Sequence, residues 1–345
     1  MLILGIESSC DDTAIAIIKI DRKVTILSNI IASQIKQHQP YGGVVPEIAA
    51  RNHVEIIDKL LNIALNEAKI TVKNLDLIAA TGGPGLIGGV ITSVMFAKGL
   101  ALANNIPFYA VNHLEGHALI AKLEYFNNNQ LTFPFLLFLA SGGHCQILVC
   151  KGVGKYQKYG QTLDDAIGEA FDKTAKMIDL PYPGGPEIEK IAQNGNEKAY
   201  DFPHSMKNKK NCNFSLSGLK TAVRYKVNQL SPPLSKKEQA DIAASFQYAV
   251  SKQIENRLKY ALSKFQQEYP NINHNLVFAG GVAANQLLRK KISKLCQKHK
   301  SNLIVPETKL CTDNAVMIAW AGYENYQIGN ISDLSFQPKS RWPLY

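Results

Sequence analysis

The sequence predicts an α/β protein built as two related lobes. A chain of 345 residues exceeds what one small core organises and suits two domains, each burying its own interior. Apolar residues 2–6, the polar turn ESSCDDT and apolar residues 14–20 read as strand, turn, strand. The pattern returns about 130 residues later, where apolar 135–140, the turn SGGH and apolar 145–150 repeat it. Each hairpin opens a stretch of alternating strands and helices, which points to an internal duplication rather than a single doubly wound sheet. The expected division is 1–133 for the first lobe and 134–330 for the second, with a helical, basic insertion around 200–235 and a C-terminal tail over 331–345.

Between the hairpins the pattern predicts a helix over 46–69, a strand over 76–81 ending in GGPGLIGG, a helix over 90–104 and a short strand over 108–111 leading into HLEGH. The apolar residues of 47–65 recur at helical spacing and can face the core or a partner, the core being the default. After the second hairpin come a helix over 163–178, the loop PYPGGPEIEK, a polar stretch over 201–213, the connecting loop SPPLSKK over 231–237 and a long helix over 236–265. A strand over 276–279 runs into GGVAAN and a further helix. LIVP is a strand, and CTDNAVMIAWAG starts the last substantial helix, with Thr312 or Asp313 as its N-cap.

With 46% hydrophobic and 19% charged residues the chain is neither disordered nor fibrous. Its apolar runs read as too short or too interrupted to span a bilayer, and MLILGIESSCDDT lacks the basic start and cleavage site of a secretory signal. A cytoplasmic protein without a membrane partner is expected. Cys10, Cys145, Cys150, Cys212, Cys296 and Cys311 are scattered and form no CxxC pair, which argues against a disulfide framework or a thiolate zinc site. A formal net charge of +10 favours a polyanionic partner, although a Lys-rich composition alone gives the same balance.

His113 and His117 lie four apart at a helix start, so one turn stacks both imidazoles on a face, roughly 6 Å apart along the axis. That is metal-ligand spacing; two ordinary histidines sharing a face give it too. A zinc peptidase needs Glu directly after the first His, and here Leu114 stands there with Glu115 one place on. Asp313 is the best-placed carboxylate to complete a site of two imidazoles and one carboxylate, which leaves open positions on Fe(II) or zinc. It could also serve only as a helix cap. Four glycine-rich turns, GGPG (82–85), SGGH (141–144), PGGP (183–186) and GGVAAN (280–285), sit at strand ends or helix starts, where bare backbone NH groups can approach an anion. None fits the Rossmann or P-loop pattern, and any one alone is more often a plain turn.

These motifs in this order resemble the universal family of tRNA threonylcarbamoyladenosine synthases, TsaD in bacteria, nearly end to end. The stretches that carry the likeness are GIESSCDDT, YGGVVPEIAARNH, ATGGPGLIGGV, NHLEGH, SGGH, GEAFDK, YPGGP, FSLSGLKTA, AGGVAAN, LCTDNAVMIA and SRWPL. The resemblance implies the duplicated two-lobed fold of actin, sugar kinases and Hsp70, with a nucleotide and metal site in the cleft between lobes. It makes His113, His117 and Asp313 the ligands of one Fe2+, with zinc able to substitute in vitro. It assigns Leu139, Ala140, Ser141, Gly142, Gly143, Asp172, Gly185, Glu189 and Asn285 to threonylcarbamoyl-AMP, with Asp172 orienting the substrate. Two positions depart from the family's pattern: Glu189 stands where Asp is usual, and Cys145 where Thr is common.

The reaction so implied is attack by the N6 amine of adenosine 37, in tRNAs reading codons that begin with adenine, on the adenylate's carbonyl, with AMP leaving. The family works with an inactive paralogue, TsaB, and a small ATPase, TsaE, while a separate synthase supplies the adenylate. Lys207, Lys209, Lys210, Lys220 and Arg224, in the basic segment 204–226, are candidate contacts to the tRNA anticodon stem, the alternative being a solvated loop. The competing functions are an ATPase or sugar-type kinase of the same fold, a metallopeptidase, and a scaffold that only recruits RNA. Kinases hold magnesium through oxygen ligands, which two histidines do not supply.

Overall fold

Two five-stranded sheets with the same internal plan organise the chain in the computed structural model, which describes residues 1–126, 130–207, 209–230 and 233–345. The first half runs β1 (Leu2–Glu7), β2 (Asp12–Ile20), β3 (Val24–Ser33), α1 (Ile35–His38), α2 (Pro46–Ala68), β4 (Leu77–Gly83), α3 (Ile87–Asn104), β5 (Phe108–Asn112) and α4 (His113–Leu123). The second runs β6 (Phe135–Ala140), β7 (Cys145–Gly152), β8 (Lys155–Gln161), α5 (Ile167–Met177), α6 (Gly184–Ala192), α7 (Ser217–Leu230), α8 (Lys236–Glu268), β9 (Asn275–Ala279), α9 (Gln286–Lys298), β10 (Asn302–Ile304), α10 (Thr308–Cys311) and α11 (Ala315–Gln327).

The strand orders are β3-β2-β1-β4-β5 and β10-β9-β6-β7-β8. In each, the opening strand pairs antiparallel with its hairpin partner and parallel with a strand reached through helices, β1 with β4 and β6 with β9. The duplication expected from the two polar turns is therefore a duplication of sheet topology.

The chain divides into two compact units: Met1–Thr132 with Gly152–Lys155 and Thr312–Tyr345, and Phe133–Lys151 with Tyr156–Cys311. Residues 312–330, expected to continue the second lobe, and the tail 331–345 both belong to the first unit. The physical reason is the bare face of the first sheet. Leu4, Ile6, Ile15 and Ile17 pack with Ile57, Leu61, Val90 and Val94 of α2 and α3, and alternation sends the intervening side chains of β1 the other way. That other face is covered by α11, which lies so close that a Cβ on Gly5 would stand 2.1 Å from the Ala315 carbonyl oxygen.

The tail then straps the same unit. Lys339 N donates to Gly82 O at 2.9 Å, Gly85 N to Ser340 O at 3.2 Å, and Asn112 Nδ2 to Trp342 O at 3.0 Å. Gly83, at φ +134°, turns against the Lys339 carbonyl, where no side chain would fit.

The second unit buries Leu136, Phe138, Ile147 and Phe278 of its sheet against Phe171 of α5, Ile188 of α6, Val223 of α7 and Phe246 and Val250 of α8. Its 33-residue α8 starts in a capping box: Ser235 Oγ accepts from Glu238 N at 3.2 Å and Ser235 N donates to Glu238 Oε2 at 2.8 Å. Residues 231 and 232 of the SPPLSKK loop lie outside the described residues. Contrary to the reading of the apolar runs, α3 is long and apolar enough to cross a membrane by length and composition alone; in this fold it packs on β4 through Val90, Val94 and Ala97. All six cysteines are free, and every one except half-buried Cys10 is buried.

Candidate metal centre and substrate turns

β5 feeds directly into α4, and Asn112 at the junction caps the helix by accepting from Leu114 N at 2.9 Å while donating to the tail. The first helical residue is then His113, and one turn on His117 stacks beside it, ring centroids 4.8 Å apart at 89°. Asp313 enters from the residues before α11. Its Oδ1 lies 3.1 Å from His117 Nε2 and 3.6 Å from His113 Nε2. The cap of α11 is neither Thr312 nor Asp313 but Asn314, whose side chain accepts from Met317 N at 3.0 Å. Asp313 is thus turned to the imidazoles and not spent on the helix end.

The three ligand atoms lie within 4.8 Å of one another, two nitrogens and one oxygen on buried or half-buried side chains. Glu7, at the end of β1 and fully buried, stands behind His113 with Oε2 3.0 Å from Nδ1. Burial alone would raise the Glu7 pKa, but the neighbouring His113 holds it below the ordinary carboxylate range. Burial likewise pulls His113 down, and Glu7 with Asp313 overcomes it, pushing His113 up to about 9. Two buried or half-buried carboxylates around two imidazole edges make an anionic site lined by nitrogen and oxygen, and a divalent cation with such ligands fits it.

Glu115, the glutamate nearest the peptidase position, is engaged elsewhere. The buried Glu115 side chain accepts from Asn325 Nδ2 at 3.0 Å and from Gly154 N at 2.8 Å, so it anchors α4 and is not presented to the ligand edge.

The expected substrate residues all fall in the second unit. Leu139 and Ala140 end β6, and Ser141 closes a tight turn, its N donating to His144 O at 2.8 Å and its O accepting from Gly168 N at 3.2 Å. Gly142 and Gly143 stand exposed at that turn, with open space where a Cβ would be. Asp172 Oδ1 accepts from Gly184 N at 2.7 Å, fixing the carboxylate at the start of α6, where a Cβ on Gly185 would also meet open space. Glu189 Oε1 accepts from Gln286 N at 2.6 Å. Asn285 caps α9 and donates to Gln247 Oε1 at 2.8 Å. Glu189, Gln247, Gln286 and Lys290 line a pocket of about 340 Å³. Not every glycine turn stays open: Gly82 and Gly83 are packed under the tail by Phe336 and Lys339.

Of the basic candidates, Lys207, Lys209, Lys210 and Arg224 are exposed. Lys220 is committed elsewhere, its ammonium 2.5 Å from Asp165 Oδ2. The sequence reading missed Glu7, Ser9 and Thr81 around His113; the signal was a glutamate ending an otherwise apolar strand.

Two sheets on one plan, with a histidine pair and an aspartate gathered in the first unit, define a protein of the two-lobed actin-like fold class with a candidate metal site. Solved structures agree on the fold. The T.kodakarensis HypF structure matches with a TM-score of 0.59 at 16% identity, over 95% of this chain and 48% of that one. The ADPNP-bound activator of the 2-hydroxyisocaproyl-CoA dehydratase from Clostridium difficile matches with a TM-score of 0.51 at 14% identity, over 96% and 100%. Residues 25–320 match the family model TsaD, tRNA N6-adenosine threonylcarbamoyltransferase. Relatives of that name are 54% identical in Bartonella bacilliformis and 52% in Brucella suis, each match covering 100% of this chain and 95% of the relative. The chain belongs to this family.

Proposed function

We propose that this chain is the acyltransferase that moves the threonylcarbamoyl group from threonylcarbamoyl-AMP to N6 of adenosine 37 in tRNAs reading codons that begin with adenine, releasing AMP. The observation that carries this reading is the meeting of His113, His117 and Asp313 in a chain that matches its relatives over its whole length. His113, His117 and Asp313 would hold the metal, Fe2+ by preference. When bound, a metal there supplies Lewis-acid stabilisation of charge on oxygen as the mixed anhydride breaks.

The remaining chemistry belongs to the chain's own side chains and backbone. The bare turns at Gly142, Gly143 and Gly185 let peptide NH groups approach the phosphate and carbamoyl oxygens of the adenylate. Leu139 and Ala140 carry the first of those turns. Asp172, locked by Gly184 N, orients the substrate, and Glu189 with Asn285 borders the nucleotide's sugar side. The amine attacks the carbonyl carbon, the bond to the adenylate oxygen breaks, and the amine's proton is lost to solvent or buffer. An already activated acyl group needs no protein nucleophile.

Lys207, Lys209, Lys210 and Arg224 would neutralise tRNA phosphates, with Lys220 tying α7 to Asp165. Exposed apolar Ile87, Ile91 and Met95, spaced four apart along α3, support a protein partner such as TsaB on that helix face. TsaE and the adenylate synthase act alongside, in the cytoplasm.

The test is transfer in vitro: threonylcarbamoyl-AMP, unmodified tRNA and the purified chain, with and without the partner proteins, followed by AMP release and by mass spectrometry of the nucleosides. Stoichiometric AMP and modified adenosine are expected. AMP release that does not depend on tRNA, or none with the complete set, rejects the reading.

A further inference from the structure

Glu7 ends β1 in the middle of the first sheet, and its carboxylate has no exposed surface. Such a group is tolerable only when donors and counter-charge surround it. Ser9 N donates to Oε1 at 2.6 Å, the Thr81 hydroxyl donates to Oε2, and His113 Nδ1 lies 3.0 Å from the same Oε2. Every contact calls on the carboxylate as an acceptor, so the hydrogen shared with His113 sits on Nδ1. In a neutral imidazole this leaves Nε2 with a bare lone pair, directed at Asp313 Oδ1 3.6 Å away. Lone pair facing lone pair is repulsive until a proton or a metal cation stands between them.

We propose that Glu7 is a positioning residue for the divalent metal: through His113 Nδ1 it fixes the tautomer and ring orientation that make Nε2 a ligand, and together with Asp313 it balances the ion's two charges. Thr81 and Ser9 hold Glu7 in turn. The inference rests on the metal reading of His113, His117 and Asp313, and it adds a residue that lies outside the ligand set.

Glu7→Gln tests it. Glutamine keeps the length and packing, but its amide cannot accept on both sides. With NH2 toward the imidazole it meets the Thr81 hydroxyl and drives the His113 proton to Nε2; with NH2 reversed it meets Ser9 N–H. The probes are Co2+ alone, read by visible absorption and chelator competition, and Fe2+ alone under anaerobic conditions. Affinity for both ions should fall about 10- to 100-fold, the Co2+ spectrum should change, and the metal-induced rise in Tm should shrink while the metal-free Tm holds. If Glu7→Gln does not fold, Thr81→Val decides: it removes one donor to Glu7 without touching a ligand, and should weaken metal binding by about three- to tenfold. Wild-type affinity and spectrum in the folded variant overturn the proposal, as does a lower metal-free Tm with an unchanged metal-induced rise, which marks Glu7 as structural only. If the wild type binds no metal beyond what His117→Ala binds, the metal reading itself fails and takes this proposal with it.

Discussion

His113 sits between two carboxylates, Glu7 on its Nδ1 side and Asp313 on its Nε2 side. Without a cation those charges outweigh the burial that opposes them and push the imidazole up to about 9, so metal must displace a proton. Metal affinity should therefore climb as pH rises toward 9 and level off beyond it, which chelator-competition titrations at several pH values would read. The same shift acts on stability. A folded pKa above the unfolded value of about 6.5 means the imidazolium's contribution is complete below that pH and is lost as pH rises through about 9. Asp12, pushed up to about 7 by burial and then by its acidic neighbours, acts over a lower window: its contribution is present below about 3.9 and gone by about 7. The metal-free chain should thus melt at falling temperature from pH 4 to 9, and saturating Zn2+ should abolish the upper part of that fall. A metal-free Tm that rises between pH 6.5 and 9 contradicts the assignment. Truncation is the blunter probe at this scale: His113→Ala, His117→Ala and Asp313→Ala should each lose bound metal and transfer activity while remaining folded, and wild-type metal content in all three would dismiss the site.

Among the elements, the turn after β6 and the first turn of α6 can be tested without touching the core. Since a Cβ at Gly142 or Gly185 meets only open space, Gly142→Val and Gly185→Val should leave Tm within a few degrees while weakening adenylate binding about tenfold or more, by denying the ligand its approach to the backbone. An unchanged dissociation constant would reduce both to turn glycines. The tail is the second such element: cutting the chain before Ser340 removes the acceptors that hold Gly85 and Asn112, and should lower Tm and metal occupancy together, because Asn112 caps the helix that starts with His113. This division of labour bears on what could be read from the sequence. The hairpins β1–β2 and β6–β7 were legible because each strand is built on a nearly unbroken apolar run. β3 and β8 were not, because both are half-exposed edge strands whose polar residues, as in KYQKYGQ, break the alternation. The histidine pair was legible as helical spacing, whereas Glu7 hid inside a strand and the capture of α11 by the first unit needed the shape of its bare sheet face.

For the molecule as a whole, the surplus of ten positive charges matters only where it is displayed in a fixed form. The loop bearing Lys207, Lys209 and Lys210 is such a display. Buried Arg257 donates Nη1 to Lys209 O at 2.9 Å and to Asn211 O at 2.7 Å, and Nη2 to Met206 O at 2.9 Å, so a guanidinium clamps the backbone while the lysine side chains stand in solvent. A clamped loop loses little conformational entropy on meeting an RNA stem, whose deep groove side chains cannot read and whose phosphates are the accessible target. Reversing all three lysines to glutamate should raise the Michaelis constant for tRNA and leave adenylate binding nearly unchanged. For every phosphate no longer neutralised, the slope of log affinity against log salt should flatten by roughly 0.7 to 0.9, so three genuine phosphate partners would reduce it by about two or more. High salt should weaken the wild type toward the variant, and the two should converge as screening removes what the mutation removed. If affinity and slope both survive the reversal, the clamp serves only to close the second unit over α8, and the stem must be held by Arg224 and its neighbours or by a partner subunit.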